Sequence, residues 1–189
     1  NGSYLWYPSK EHPSDEPEGA DIHITVTKPL SVASNGVLQK VTDLKNKWHT
    51  WHWKTNYNIN PYNINFTIGN FEVVERIIPS LEKPLNTQFF VLGENREGAD
   101  KLLDHVEIYI DFFTRSFGQY PWLKEKLGIV NTPYLGMEHQ TIIAYGNDYK
   151  YNDKGYDFLL FHELAHEWWG NYLSVSDWAD FWIHEGFST

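Results

Sequence analysis

Cysteine is absent from all 189 residues, which excludes disulfides and any metal held by thiolates. A run of eighteen apolar residues is absent too, so no segment is built to span a bilayer as a helix. The opening residues show no basic, apolar, small-residue leader; the chain reads as one that begins mid-protein. Positive charge is scarce: 15 Lys and Arg stand against 25 Asp and Glu, for a net charge of −10. Such a balance repels nucleic acid, which is left out as a partner. The deficit is uneven. Residues 1–95 hold 8 Lys/Arg against 10 Asp/Glu, and residues 96–189 hold 7 against 15. An acidic second half attracts cations, including the ammonium of a peptide, although a solvated acidic surface accounts for most of these charges equally well. Aromatic residues, by contrast, abound. At 17% of the chain, with nine Trp and twelve Tyr, they exclude a disordered composition, and the length suits one ordinary domain or two small ones.

The acidic half contains His162-Glu163-Leu164-Ala165-His166. Residues four apart share one face of an α-helix, so the two imidazoles project side by side and can hold one metal ion. Glu163 stands beside them as a candidate general base. HExxH alone is only moderately specific, but here the flanks agree. Asn152 or Asp153 can start a helix, Phe158-Leu159-Leu160-Phe161 can bury it, and Gly170-Asn171 can end it. A second helix is expected to open at Asp177, with Asp180 as a weak capping-box partner. It would carry Glu185, and folding back it would supply a carboxylate as third ligand. His162, His166 and Glu185 then form a site for one zinc ion, with one position open to water.

Along the rest of the chain, Ile22 to Thr27 alternates apolar and polar residues, as a half-buried strand does. Asn35-Gly36, between Val32-Ala33 and Val37-Leu38, is a hairpin signal. Trp48 to Trp53 and Tyr62 to Ile68 continue the β pattern, so the first 80 or so residues read as an antiparallel unit. His49 and His52 sit three apart on an alternating strand and so point to opposite faces, which favours packing over metal binding; His12, His23 and His105 take the same plain reading. Ile78 to Pro84, with two prolines and no periodicity, is the expected boundary, dividing the chain into residues 1–82 and 83–189. Phe89 to Leu92 reads as a short strand. Apolar residues at 99, 102, 103, 106, 109, 110, 113 and 117 predict an amphipathic helix stopped by Gly118. Strand-like pieces at 128–130 and 141–145 bracket Gly136-Met137-Glu138.

These motifs resemble one family. His162 to Asn171 together with Trp182-Ile183-His184-Glu185-Gly186-Phe187 looks like the gluzincin aminopeptidases of the alanyl aminopeptidase family. Leu135-Gly136-Met137-Glu138-His139 is similar to that family's Gly-x-Met-Glu-Asn segment, and Tyr7 to Pro13 to a degenerate form of its Phe-Pro-Cys-x-Asp-Glu-Pro segment. The resemblance implies an α+β fold: the end of an N-terminal antiparallel β domain (1–82), then the first part of a thermolysin-like catalytic domain (83–189). It further implies that Gly136, Met137 and Glu138 line the substrate as an edge strand, with Glu138 binding the free α-amino group of a peptide. Leu135 and His139 depart from the motif, adding bulk and a titratable ring, and leave open which first residue is preferred.

The function implied is a zinc-dependent aminopeptidase acting on peptides with a free N-terminus, Glu163 serving as base. A family-like peptide-binding domain with impaired catalysis is the alternative, and a structural domain with an accidental HExxH a third. Asp180, His184 and Glu167 are candidates to orient the ligands, or are exposed helix charges. The family's oxyanion-stabilising Tyr and the remainder of its catalytic and C-terminal domains are expected beyond Thr189, so the isolated piece is expected to be inactive. Asn65-Phe66-Thr67 matches a glycosylation sequon, and the reading leans to a periplasmic or secreted location.

Overall fold

The computed structural model describes residues 3–93 and 95–189. Three sheets account for the strands. The first is antiparallel, with β1 (Asp21–Thr27), β4 (Trp48–Lys54) and β3 (Val37–Asp43) in the order β1-β4-β3. The second pairs β2 (Ser31–Ser34) with β5 (Phe66–Gly69). The third has five strands in the order β6-β7-β8-β10-β9: Phe71–Ile78, Leu85–Leu92, Leu127–Asn131, Ile143–Tyr145 and Gly136–Met137. It is mixed, since β7-β8 and β8-β10 run parallel while its outer pairs are antiparallel. An α+β fold is therefore observed.

Parallel strands need a crossover, and α1 (Arg96–Phe117) supplies the one between β7 and β8. Its sequence dictates the packing. Ala99, Leu102, Leu103, Val106, Tyr109, Ile110 and Phe113 recur at helical spacing and are all buried. Gly118 ends it with φ +96°, a conformation that costs an L side chain but not glycine. Truncating a fully buried member such as Leu103 to Ala is worth about 2–5 kcal/mol. This stripe joins Phe89, Ile129, Tyr145, Leu160 and Leu164 in the larger core; a smaller core, around Val32, Trp53 and Ile59, lies under the first two sheets.

Two expectations need correction. Asn35-Gly36 is not the turn of a hairpin: β2 pairs with β5 and β3 with β4, so the chain changes sheets there. Local turn chemistry is overridden by distant partners. Asn35 is fully buried, donates to Asn63 O and Gln140 O, and accepts from Asn65 N–H; Gly36 N–H donates to Thr141 Oγ1. The division between 82 and 83 would cut a hairpin, because β6 and β7 pair in continuous register from Phe71↔Leu92 to Ile78↔Leu85. The prolines sit in its loop. The change of sheet falls at Asn70, between β5 and β6. No helix among the described residues is long and apolar enough to cross a membrane.

Candidate metal centre and its surroundings

Helix α2 (Phe158–Ala165) carries the motif. It starts later than expected from Asn152 or Asp153, because Asp157 is the residue that caps it, accepting from Leu160 N–H; a turn through Gly155, at φ +81°, precedes it. It also stops well before Gly170-Asn171, yet His166 at its C-cap keeps helical angles. The i, i+4 relation of the two histidines is thereby preserved. Asp177 caps a single 3-10 turn (Trp178–Asp180) and not the longer helix; α3 (Trp182–Ser188) follows it and holds Glu185. Trp169 stacks on Phe187 at 4.3 Å, pinning α3 to the end of α2.

The three expected ligands come together. His162 Nε2 lies 3.2 Å from His166 Nε2 and 3.4 Å from Glu185 Oε2, and His166 Nε2 lies 3.7 Å from Glu185 Oε1. Ligands about 2.0–2.2 Å from a tetrahedral zinc stand roughly 3.4 Å from one another, so the spacing fits that ion. The tautomers fit as well. His162 Nδ1–H donates to Ser188 O at 3.0 Å and His166 Nδ1–H to Trp169 O at 2.9 Å. Both Nε2 lone pairs are left facing the shared point.

Glu163 and Glu138 complete the centre. Glu163 is buried and its Oε2 has no partner among the described residues. Burial, then the Glu138 and Glu185 charges, push its carboxyl up to about 8; a bound cation would oppose that push. Gly136 faces this carboxylate so closely that a Cβ there would collide with Glu163 Oε1 and lie 2.8 Å from Leu159 Cδ1. A side chain at position 136 would press on the movable ends of Glu163 and Leu159. Gly136 and Met137 pair with β10 at the outer end of the sheet, leaving the other edge of β9 unpaired among the described residues. Glu138 follows, buried, with a carboxylate oxygen within 4.8 Å of ligand atoms of His166 and Glu185. Burial raises its pKa as well. Three carboxylates thus crowd one half-buried space, an arrangement that calls for cations.

Several neighbours behave differently from expectation. Glu167 is neither an orienter of the ligands nor an exposed charge. It is fully buried and binds Trp122 Nε1–H at 2.6 Å, Thr141 N–H at 2.9 Å and Asn171 Nδ2 at 3.3 Å. His184 is buried and accepts from Val175 N–H; Asp180 stays exposed. His139 is no switch near neutrality, since burial pulls it down to about 4. Leu135 is 63% exposed and leaves Gly136 facing Glu163.

Three residues escape the sequence reading. Tyr62 OH donates to Glu138 Oε1 at 3.3 Å. Asn171 Nδ2 donates to Glu138 O at 2.9 Å, and Asn63 Nδ2 to Asn171 Oδ1 at 2.7 Å. Asn171 lies inside the quoted motif, but nothing in its neighbourhood announces its partner. Tyr62 and Asn63 sit in a 3-10 turn (Pro61–Asn63) whose sequence resembles any other loop.

Known proteins share parts of this chain's sequence and its fold. The Peptidase family M1 domain matches residues 102–189. Human glutamyl aminopeptidase is 27% identical over 180 residues, covering 89% of this chain and 18% of the relative. The M1 zinc metallopeptidase of Deinococcus radiodurans superposes with a TM-score of 0.78 at 22% identity, over 99% of this chain and 42% of that one. A mutant of that enzyme bound to a Tyr-Ser-Ala substrate gives 0.72 at 22% identity, over 97% and 41%. At such identities the structural likeness is one of fold. The chain spans about a fifth of the length of the curated relatives it matches. With its histidine helix inside the matched segment and an aminopeptidase relative aligned along most of its length, the chain resembles peptidase family M1.

Proposed function

We propose that this chain holds the metal-binding side of an aminopeptidase active site, acting on peptides with a free N-terminus. One observation carries the reading: the buried Glu138 carboxylate stands within 4.8 Å of ligand atoms of the site. An ammonium paired with Glu138 leaves room for only one residue before the metal, so the first peptide bond is the one presented. His162, His166 and Glu185 would hold one zinc ion. When bound, zinc supplies Lewis acidity, lowering the pKa of water to about 7 and polarising a carbonyl.

The chain's own residues supply the rest. Glu163, with a carboxylate oxygen within 4.8 Å of ligand atoms of His162 and His166, takes the proton of the attacking water and passes it to the leaving amine. Gly136 lets that carboxylate approach the edge strand, and the open edge of β9 offers backbone groups to an extended peptide. The Tyr-Ser-Ala complex of the Deinococcus radiodurans relative supports a peptide as ligand. The alternative of an impaired binding domain draws only on Leu135 and His139, whereas the spacing of His162, His166 and Glu185 and the placement of Glu163 favour turnover.

The test compares a free-amine substrate with its N-acetylated form in the full-length protein. Glu138→Ala should cut hydrolysis of the free amine about 100-fold, as loss of a buried charge pair does, with metal content unchanged. An unaltered ratio between the two substrates would remove Glu138 from this role.

A further inference from the structure

We infer that Asp21, His23 and His52 form a second metal site, on the outer face of the first sheet, for a divalent ion that imidazole binds well, above all Zn²⁺. The site shares no residue with the aminopeptidase reading and does not depend on it. Each of the three side chains offers a ligand atom, and these atoms lie within 4.8 Å of one another. The sheet builds the group. Asp21 and His23 are two apart on β1 and so share a face. His52 stands directly opposite His23 on β4, where cross-strand side chains meet. Ile22 and its partner Trp53 are buried on the inner face, which fixes the register and turns the three outward. Sequence spacing hides this pairing, because His49 lies on the other face, with its Nε2 2.7 Å from Leu30 O.

The three groups already converge. His52 Nε2–H donates to Asp21 Oδ1 at 2.6 Å, and the His23 ring stacks on that of His52, 4.0 Å between centroids and 15° between planes. A metal ion takes the place of the proton that joins His52 to Asp21, and the imidazole keeps its other N–H on Nδ1. Ligands about 2.0–2.2 Å from a tetrahedral zinc stand roughly 3.4 Å apart. The carboxylate therefore has to withdraw by under about 1 Å, and its side chain, 51% exposed, is free to do so. Two imidazoles and one carboxylate select zinc over Mg²⁺ and Ca²⁺, which take oxygen ligands. Two lysines oppose the ion: Lys54 Nζ is 3.9 Å from Asp21 Oδ2, and Lys40 is the partner of His52 on β3. Their charge makes the site weaker than the same three ligands would be alone.

The experiment titrates the full-length protein, freed of loosely held metal by gel filtration, with Zn²⁺ and separately with Mg²⁺ in a calorimeter. The wild type should take up one equivalent of Zn²⁺ more than the His23→Gln/His52→Gln double variant, and Mg²⁺ should not distinguish the two. Each histidine substitution alone, and Asp21→Asn, which keeps the side chain's shape, should weaken that equivalent about tenfold or more. Lys54→Met should strengthen it about two- to fivefold. Melting temperatures without added metal should agree among these proteins, since the altered side chains lie on the outer face. With excess Zn²⁺ the wild type should then melt higher than the double variant. A double variant that binds as many equivalents as tightly as the wild type would overturn the site. So would a loss just as large in His12→Gln, an exposed histidine elsewhere on the surface. Either result stands whether or not the protein cleaves peptides, so the aminopeptidase reading is tested apart from it.

Discussion

On one wall of the cleft, His162, Glu163 and His166 lie within five consecutive residues of a single helix. On the other, Tyr62 and Asn63 reach Glu138 and Asn171 from 76 and 108 residues away. The first wall is fixed by helical periodicity, which any chain able to bury α2 will reproduce. The second depends on how the sheets of residues 21–69 dock against the five-stranded sheet. That docking is anchored at Thr141, a β-branched residue held at φ +60°, a conformation costing of order 1–3 kcal/mol. Bonds from both sides hold it there. Gly36 N–H donates to its Oγ1, its own N–H donates to Glu167 Oε1, and its carbonyl accepts from Lys126 Nζ at 3.0 Å. In the proposed reading, chemistry is thus concentrated in a local motif, while substrate placement depends on contacts between distant segments.

The sharpest way to break this comparison is at the motif wall. Glu163→Gln keeps shape and removes the ability to accept a proton. In the full-length protein it should retain the metal and lose turnover by about 100- to 10,000-fold. Metal analysis beside steady-state rates checks both halves. A variant within a few-fold of the parent would show that the proton goes elsewhere, and the two walls would then differ less than proposed.

What was legible in the sequence follows the same division. The helix over 96–117 was visible because seven core residues recur at one period. The proximity of His162, His166 and Glu185 was legible because two of them are four residues apart on one helix and the third lies one short helix away. Asn35-Gly36 misled, since a dipeptide's turn preference of about 1 kcal/mol cannot compete with several buried hydrogen bonds to Asn63, Gln140 and Thr141. Tyr62 and Asn63 carry no periodicity and no motif; only tertiary packing gives them partners. Glu167 read as an orienter of the ligands or an exposed helix charge because its partners, Trp122 and Thr141, are 45 and 26 residues distant.

A medium effect is expected at His139, where the chain departs from the similar motif's Asn. Burial holds this imidazole neutral, down to about 4 against an ordinary value near 6.5. A histidine depressed in the folded state binds fewer protons there than in the unfolded chain. Its stabilisation is therefore complete above about pH 6.5 and lost as pH falls towards 4, by at most about 3 kcal/mol. His139→Asn should flatten that part of the stability-against-pH curve and change little at pH 8. Denaturant midpoints at pH 4.5, 6 and 8 would decide. Parallel curves for the two proteins would mean that His139 takes up its proton without penalty.

The smallest effect is expected on the far wall. Tyr62 is packed edge-on to Trp178 at 5.3 Å and Phe181 at 6.3 Å, on the segment that leads into α3. Its hydroxyl touches Glu138 Oε1 at the long distance of 3.3 Å. Tyr62→Phe leaves the ring and removes that one bond, so the wall should stay in place while the carboxylate loses a donor that orients it. A hydrogen bond of this kind is worth about 0.5–1.5 kcal/mol, a factor of roughly two to ten. The loss should fall on KM for free-amine substrates, with kcat and metal content nearly unchanged, because Tyr62 acts through Glu138 and not on the reacting carbonyl. The N-acetylated substrate supplies the contrast: it cannot use Glu138, so its KM should not move. Equal changes in KM for both substrates would mean that the ring's packing, and not its hydroxyl, is what this wall contributes.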